Sequence, residues 1–205
     1  MPHAEPTLDV ETNLAARWGG PVAGIDEAGR GAWAGPVVAA AVILDAAACP
    51  VGIRDSKKIP ERRRDEIADA IRATSRVGVG IASPAEIDQI NILQATFLAM
   101  QRAVADLGPG IAGALIDGKM APDLGALRTE TLIKGDSLSL SVAAASIIAK
   151  TTRDAIMRGL HADHPGYLWA RNKGYGAAAH AAALEAVGPC PHHRQSFAPI
   201  ARLIR

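Results

Sequence analysis

The sequence predicts an α/β fold, a mixed five-stranded sheet flanked by helices. Strand-like segments with short connections come first along the chain, and further strands then alternate with helices. That order is typical of a mixed sheet covered by helices. The 205 residues are 49% hydrophobic, contain no internal repeat and offer no long linker. We therefore expect one domain with its own core over 1–205, with an extension at about 1–20 and a C-terminal helical part at about 160–205.

Short apolar runs rich in β-branched residues supply the strands. We expect strands at 22–26, 37–44, 77–81, 113–116 and 129–134. A glycine-rich turn joins the first two, and the second is an apolar run rich in valine. We therefore expect Asp26 and Val42 to lie on neighbouring antiparallel strands.

Capping residues and breakers indicate where the helices begin and end. Pro60 is suited to a first helical position, and Ser83 with Glu86 forms a capping-box pattern. Asn91 is placed to cap the helix that follows it. Beyond a helix after Pro60, we expect helices at 92–107, 139–160 and 177–187, and one near the C-terminus.

Composition limits the class of protein. The apolar runs are too short to span a bilayer, and the first twenty residues lack the apolar core of a signal peptide. Cys49 and Cys190 are too few and too far apart to build a disulfide framework. We expect a cytoplasmic protein without a membrane partner. The net charge of +1 does not indicate nucleic-acid binding, although residues 150–205 carry eight Lys or Arg and only three Asp or Glu.

Carboxylates recur where the predicted strands end. Asp26 and Glu27 follow the first apolar run, Asp117 follows the fourth, and Asp136 follows the fifth. Each acid alone is more typical of a solvated strand end or a turn beside glycine. Together, at one edge of a sheet, they would repel one another unless cations neutralised them. The set favours a site for a hard divalent cation such as Mg²⁺.

A second motif follows the first acidic pair. Gly29 and Gly31 flank Arg30 and leave the backbone bare on both sides of it. An isolated motif of this kind is usually a turn. Beside Asp26 and Glu27, it favours close approach of a phosphate backbone to main-chain N–H groups.

These motifs together resemble the bacterial ribonuclease HII family, the type 2 ribonucleases H, from about residue 22 to 198. The matching segments are GIDEAGRG at 24–31, DSKK at 55–58, IDG at 116–118, KGD at 134–136, AAASIIAK at 143–150, KGYG at 173–176 and HHRQSFAP at 192–199. The resemblance implies a ribonuclease H-like fold and Mg²⁺ or Mn²⁺ as cofactor. It implies a monomeric endonuclease that acts on RNA–DNA hybrids and on DNA containing ribonucleotides.

The resemblance also implies roles for individual residues. The metal-binding and catalytic acids are Asp26, Glu27, Asp117 and Asp136, and the substrate-binding residues are Gly29, Arg30, Gly31, Lys57, Lys58, Tyr175 and Arg194. Among these, the Gly-Arg-Gly element is expected to read the RNA-to-DNA junction and the tyrosine to sense the substrate. The chain departs from the common family pattern at Ala32, Trp33 and Lys119. The lysine could place a cation near the acids.

Two other readings remain open from the sequence. A junction resolvase of similar fold would share the acids but should lack the Gly-Arg-Gly and Lys-Gly-Tyr elements. The presence of all four acids argues against the second alternative, a catalytically silent nucleic-acid-binding module. The aromatic content of 3% also argues against a binder that stacks single-stranded bases.

Overall fold

The computed structural model describes residues 5–204 and confirms a mixed five-stranded sheet. The strands lie in the order β3-β2-β1-β4-β5. Antiparallel pairs join β1 to β2 and β2 to β3, whereas β1–β4 and β4–β5 are parallel. The strands are β1 (Val22–Ala28), β2 (Val37–Ile43), β3 (Arg76–Ala82), β4 (Gly113–Asp117) and β5 (Arg128–Leu132).

The helices begin close to the predicted caps. They are α1 (Asp9–Trp18), α2 (Glu61–Thr74), α3 (Pro84–Leu107), α4 (Leu140–Asp163), α5 (Trp169–Asn172), α6 (Ala178–Val187) and α7 (Ala198–Ala201). Ser83 and Glu86 form the expected capping box. Asn91 interrupts α3 with a φ of 65°, and its side chain accepts the N–H groups of Leu93 and Gln94. The predicted cap is therefore present, inside a longer, kinked helical element.

The sheet lies between two helical layers. On one face α3 packs against Ile25 and Ile116, and on the other α4 and α2 pack against Ala40 and Val42. Small residues bring the helices close to the strands. A Cβ on Gly80 would overlap the backbone of α3 at Ala99. Alanines 143, 144 and 145 of α4 are fully buried on the sheet, as the sequence predicts.

Two local expectations differ from the structure. The sequence gives no helix before residue 20, but α1 packs Leu14 against Val22 and Leu115. The fifth strand ends at Leu132 instead of continuing to residue 134. Lys134 has a φ of 60°, so the chain turns there and Asp136 lies in a short 3₁₀ turn.

No helix within residues 5–204 is long and apolar enough to cross a membrane. Both cysteines are free thiols.

A buried carboxylate ties α1 to the start of α4. Oε1 of Glu11 accepts three hydrogen bonds, from the hydroxyls of Ser139 (2.5 Å) and Ser141 (2.6 Å) and from the Ser141 N–H (2.8 Å). The backbone of Thr7 also pairs with Leu138 and Leu140. The N-terminal segment therefore holds the stretch of chain that follows the Asp136 turn.

We predict that Glu11→Ala lowers the free energy of unfolding by about 3 kcal/mol, because buried donors lose a charged acceptor. Glu11→Gln keeps an acceptor oxygen and should lose less. Glu185→Ala, at an exposed position of α6, serves as the control and should change stability by under about 0.5 kcal/mol. Urea denaturation measures all three. Equal stability of Glu11→Ala and the control would contradict the prediction.

Candidate functional site

Strand register brings two of the predicted acids together. Ile25 of β1 pairs with Ile116 of β4 in a parallel ladder. The next residues along the two strands are Asp26 and Asp117, so their side chains share the face that α4 covers. Antiparallel pairing of Asp26 with Ala40 confirms that the first two strands are neighbours.

The acids open into two adjoining cavities. Asp26, Glu27 and Asp117 line a cavity of about 430 Å³. Asp117 also lines the second cavity, together with Asp136. Within residues 5–204, no three His, Cys, Asp or Glu side chains lie close enough to hold one metal ion together. Asp117 therefore borders both cavities, with Asp26 and Glu27 in one and Asp136 in the other.

Burial and mutual repulsion disfavour the ionised acids. Burial raises the pKa of Asp26 well above its ordinary value, and the charges of Glu27 and Asp117 raise it further. Burial also raises the pKa of Glu27, against the opposing effect of Arg30. The pKa of Asp117 is raised by burial and by Asp136, and lowered by the hydrogen bond from the Gly135 N–H.

Bound cations would relieve this arrangement. Carboxylate oxygens are the donors that Mg²⁺ and Mn²⁺ accept, and buried acids of like charge gain most from a cation. The donor set therefore fits a divalent metal. Glu27 is turned toward Arg30, whose Nη1 lies 3.3 Å from Oε1.

The Gly-Arg-Gly loop crosses the mouth of the site. Gly29 has a φ of +96°, and a Cβ there would overlap the side chain of Arg153 beneath it. Only glycine satisfies both conditions. Arg30 leaves its side chain half-exposed beside Glu27. Gly31 is exposed, with open space around its Cα.

Arg194 is not placed to contact substrate, which corrects the expectation from the sequence. Its side chain is fully buried under the Gly-Arg-Gly loop. Its guanidinium donates to the carbonyls of Gly29 (2.7 Å), Arg30 (2.8 Å), Gly35 (3.0 Å) and Pro36 (3.1 Å). Arg194 therefore supports the backbone of the loop, and the exposed Arg30 is the cation that faces outward.

Other predicted substrate residues reach the acid cavities. Lys57 lines both cavities and is exposed. The backbone of Lys58 belongs to the adjoining 3₁₀ turn, while its side chain lies outside the described part of the structure. Tyr175 lines the acid cavity and is 38% exposed as a residue. Lys119, the departure from the family pattern, lines the second cavity beside Asp117.

The sequence missed several residues that shape the site. Ser56 and Ser146 line the acid cavity and exchange a hydrogen bond of 2.9 Å, and the Ser146 hydroxyl lowers the pKa of Asp26. Lys150 lines the same cavity. All three lie in the DSKK and AAASIIAK segments, so the motifs themselves carried the signal. His180, expected only as an ordinary helix residue, is fully buried and contacts the carbonyl of Tyr175 at 2.9 Å.

The mixed sheet, its flanking helices and its acidic edge place the protein among the ribonuclease H-like α/β proteins. A family model described as Ribonuclease HII matches residues 23–200. The chain belongs to the ribonuclease HII family, nucleases that cleave RNA in RNA–DNA hybrids.

Curated relatives are similar over most of their length. Ribonuclease HII from Rhizorhabdus wittichii is 55% identical over 182 residues, which cover 89% of this chain and 90% of the relative. Ribonuclease HII from Paramagnetospirillum magneticum is 54% identical over 188 residues, covering 90% and 93%.

Solved structures share the fold. A chain from the PCNA:RNase HII complex of Archaeoglobus fulgidus superposes with a TM-score of 0.73 at 27% identity, covering 89% of this chain and 96% of that one. Bst-RNase HIII in complex with Mn²⁺ gives a TM-score of 0.71 at 23% identity, covering 93% and 72%. The second likeness concerns the fold alone.

We predict that Asp26→Asn stabilises the metal-free protein at pH 7. Because the pKa of Asp26 is raised on folding, the folded state keeps a proton that the unfolded chain releases. Stability from this group is therefore full below the ordinary pKa of about 4 and is lost as the pH rises toward the folded value. Asparagine keeps an oxygen to accept the Glu27 N–H. The midpoint of thermal unfolding at pH 7 should therefore rise in the variant, because asparagine has no charge to bury.

Thermal unfolding from pH 4 to 8 with a chelator measures this effect. Asp69→Asn, at an exposed position on α2, is the matched control. Added Mg²⁺ should raise the midpoint of the wild type more than that of Asp26→Asn, since the variant has lost a ligand. A lower midpoint for Asp26→Asn than for the control at pH 7 would show that the carboxylate stabilises the fold.

Proposed function

We propose that the protein is a metal-dependent endoribonuclease of RNA–DNA hybrids that also cuts 5′ to ribonucleotides embedded in duplex DNA. We propose two-metal-ion catalysis that leaves 3′-hydroxyl and 5′-phosphate ends. The observation that carries the proposal is the neighbouring placement of Asp26 and Asp117 in one cavity with Tyr175, beside the Gly-Arg-Gly loop. Family membership supports the ribonuclease activity.

Asp26, Glu27, Asp117 and Asp136 would hold the cations. Bound divalent ions supply an activated water and stabilise the leaving oxygen in phosphodiester hydrolysis. The protein's own groups prepare this site. Ser146 is hydrogen-bonded to Ser56, and the Ser146 hydroxyl favours the ionised form of Asp26 that would bind metal.

In this proposal the Gly-Arg-Gly loop and Tyr175 recognise the substrate. The half-exposed guanidinium of Arg30 can bind the phosphate next to the ribonucleotide in a charge-assisted contact. Backbone groups at Gly29 and Gly31 can approach a 2′-hydroxyl, the group that distinguishes RNA from DNA. The ring of Tyr175 can pack on a neighbouring sugar or base. None of these contacts reads base identity, so the cut depends on the sugar.

Arg30 has two competing partners in this proposal. In the structure its guanidinium lies against Glu27, one of the proposed metal ligands. A cation that draws Glu27 away would leave Arg30 available for phosphate. Metal and substrate would then favour each other's binding.

Some expectations stay predictions. A monomeric state and a role in replication and repair are expected from the resemblance, and a cytoplasmic location from the composition. A junction resolvase is disfavoured by the family match, and a silent binding module is separated from an enzyme by the assay below.

The function is tested with duplex DNA carrying one ribonucleotide and with a continuous RNA–DNA hybrid, each with Mg²⁺, with Mn²⁺ and with a chelator. We predict that Asp117→Asn abolishes cleavage in Mg²⁺ while the protein remains folded and still binds substrate, because the change removes a metal ligand. Asp69→Asn is the matched control. More than about a tenth of the wild-type rate, under about 1.4 kcal/mol of barrier, would contradict the role of Asp117.

We predict that Arg30→Ala raises KM on the single-ribonucleotide duplex about tenfold or more, because a charge-assisted hydrogen bond contributes about 1.5 to 3 kcal/mol. Arg62→Ala is the control, since that side chain is 95% exposed on α2. Steady-state kinetics at fixed salt measure both variants. An unchanged KM for folded Arg30→Ala would remove Arg30 from substrate binding.

A further inference from the structure

We infer that Arg153 is a positioning residue that joins the Gly-Arg-Gly loop to Tyr175, so that the two elements read the substrate as one unit. The inference rests on the proposed function of those elements. Arg153 lies on α4, and its side chain is fully buried. It lies under the site and does not line the acid cavity.

The guanidinium of Arg153 ties two separate loops together. Nε donates to the carbonyl of Pro36 and Nη2 to that of Ala34, both in the β1–β2 connection. Nη1 donates to the carbonyl of Lys173, two residues before Tyr175. All three hydrogen bonds measure 2.9 Å. One side chain therefore fixes main-chain positions that lie more than a hundred residues apart.

The side chain of Arg153 also lies between the Gly-Arg-Gly loop and Tyr175. Gly29 rests on its Nε and Cδ so closely that a Cβ would overlap them. The ring of Tyr175 lies with its centroid 5.3 Å from Cζ, within the range of a cation–π contact. A shift of Arg153 would therefore move the loop and the ring relative to each other.

Arg194 completes the support from the loop side. The carbonyl of Pro36 accepts hydrogen bonds from both Arg153 and Arg194, so one main-chain oxygen bridges the two guanidiniums. Burial and the charge of Arg153 lower the pKa of Arg194 to about 9, so it remains charged at neutral pH. Two cations thus lie beneath the surface that we propose for the phosphate.

Lysine cannot reproduce this arrangement. Its ammonium is a single point charge, while the planar guanidinium presents several N–H groups at fixed angles and stacks on a ring. Arg153→Lys therefore keeps the charge and loses the simultaneous contacts to both loops. The substitution separates the geometric role from the electrostatic one.

The experiment is a double-mutant cycle of Arg153→Lys and Tyr175→Leu, measured as kcat/KM on the single-ribonucleotide duplex. Misplacement by about 1 Å can cost about a hundredfold in rate, so we expect Arg153→Lys to lose about 10- to 100-fold. The double variant should lose clearly less than the product of the two single losses, because Arg153 acts by positioning the loop relative to the ring. Multiplied losses in the double variant would overturn the inference.

Two further measurements and one control variant distinguish a positioning role of Arg153 from a general loss of structure at the site. Arg153→Lys should bind Mn²⁺ like the wild type in calorimetry, since the acids lie on other elements. It should lose less on a continuous hybrid, where every position of the RNA strand offers a 2′-hydroxyl. Arg62→Lys is the control for the change of side chain. Collapse of Mn²⁺ affinity, or equal losses on both substrates, would show that Arg153 supports the whole site.

If Arg153→Lys does not fold, Gly29→Ala replaces it in the cycle. The added methyl forces the Arg153 side chain aside, keeps its charge and also strains the loop at its positive φ, so the variant is judged only by its coupling to Tyr175→Leu. The same lack of additivity with Tyr175→Leu is expected, and additivity would again overturn the inference. A wild type that cleaves neither substrate would refute the proposed function. A wild type that cleaves both, with additive variants, would refute this inference alone.

Discussion

The parallel register between β1 and β4 is the constraint on which the site depends. Ile25 faces Ile116 in the α3 core, and this pairing turns the next residue of each strand toward α4. Because side chains alternate along a strand, a slip by one residue would bury Asp26 in the apolar core and expose isoleucine. The apolar packing that stabilises the sheet therefore also determines where the carboxylates meet. One strand register therefore sets both the packing of the core and the position of the acids.

Much of the fold was predictable because its signals are local. Apolar runs gave the five strands, and the cap at Asn91 and the box at Ser83 marked helix starts within a residue or two. The helix α1 was missed because its buried face is narrow. Its buried residues are Leu14 and Glu11, and the apolar Val10, Ala15 and Trp18 are only partly buried. A sequence pattern does not show that a glutamate will find two serines about 130 residues away.

The candidate site also combines features that could be predicted from the sequence with features that could not. Acids at strand ends could be predicted from the chain alone, and the motifs carried the Gly-Arg-Gly loop and Tyr175. The role of Arg194 could not, because its partners are four main-chain carbonyls that carry no sequence signature. A motif shows that an arginine belongs to the site but does not show which way it points. Burial decided that question, and it separated the outward Arg30 from the inward Arg194.

Anchoring through main-chain oxygens fixes the path of the loop without hydrogen bonds to the side chains of the anchored positions. Arg153 and Arg194 hold positions 29, 30 and 34 to 36 by carbonyls that every amino acid possesses. Ala32 and Trp33, where this chain departs from the common pattern, lie within that anchored stretch, and Trp33 has packed its ring against His180. A substitution at the exposed Arg30 or Gly31 therefore leaves these hydrogen bonds in place, whereas Gly29 and Gly35 have no room for a Cβ. The outward surface of the loop can change while the hydrogen-bonded frame beneath it stays the same.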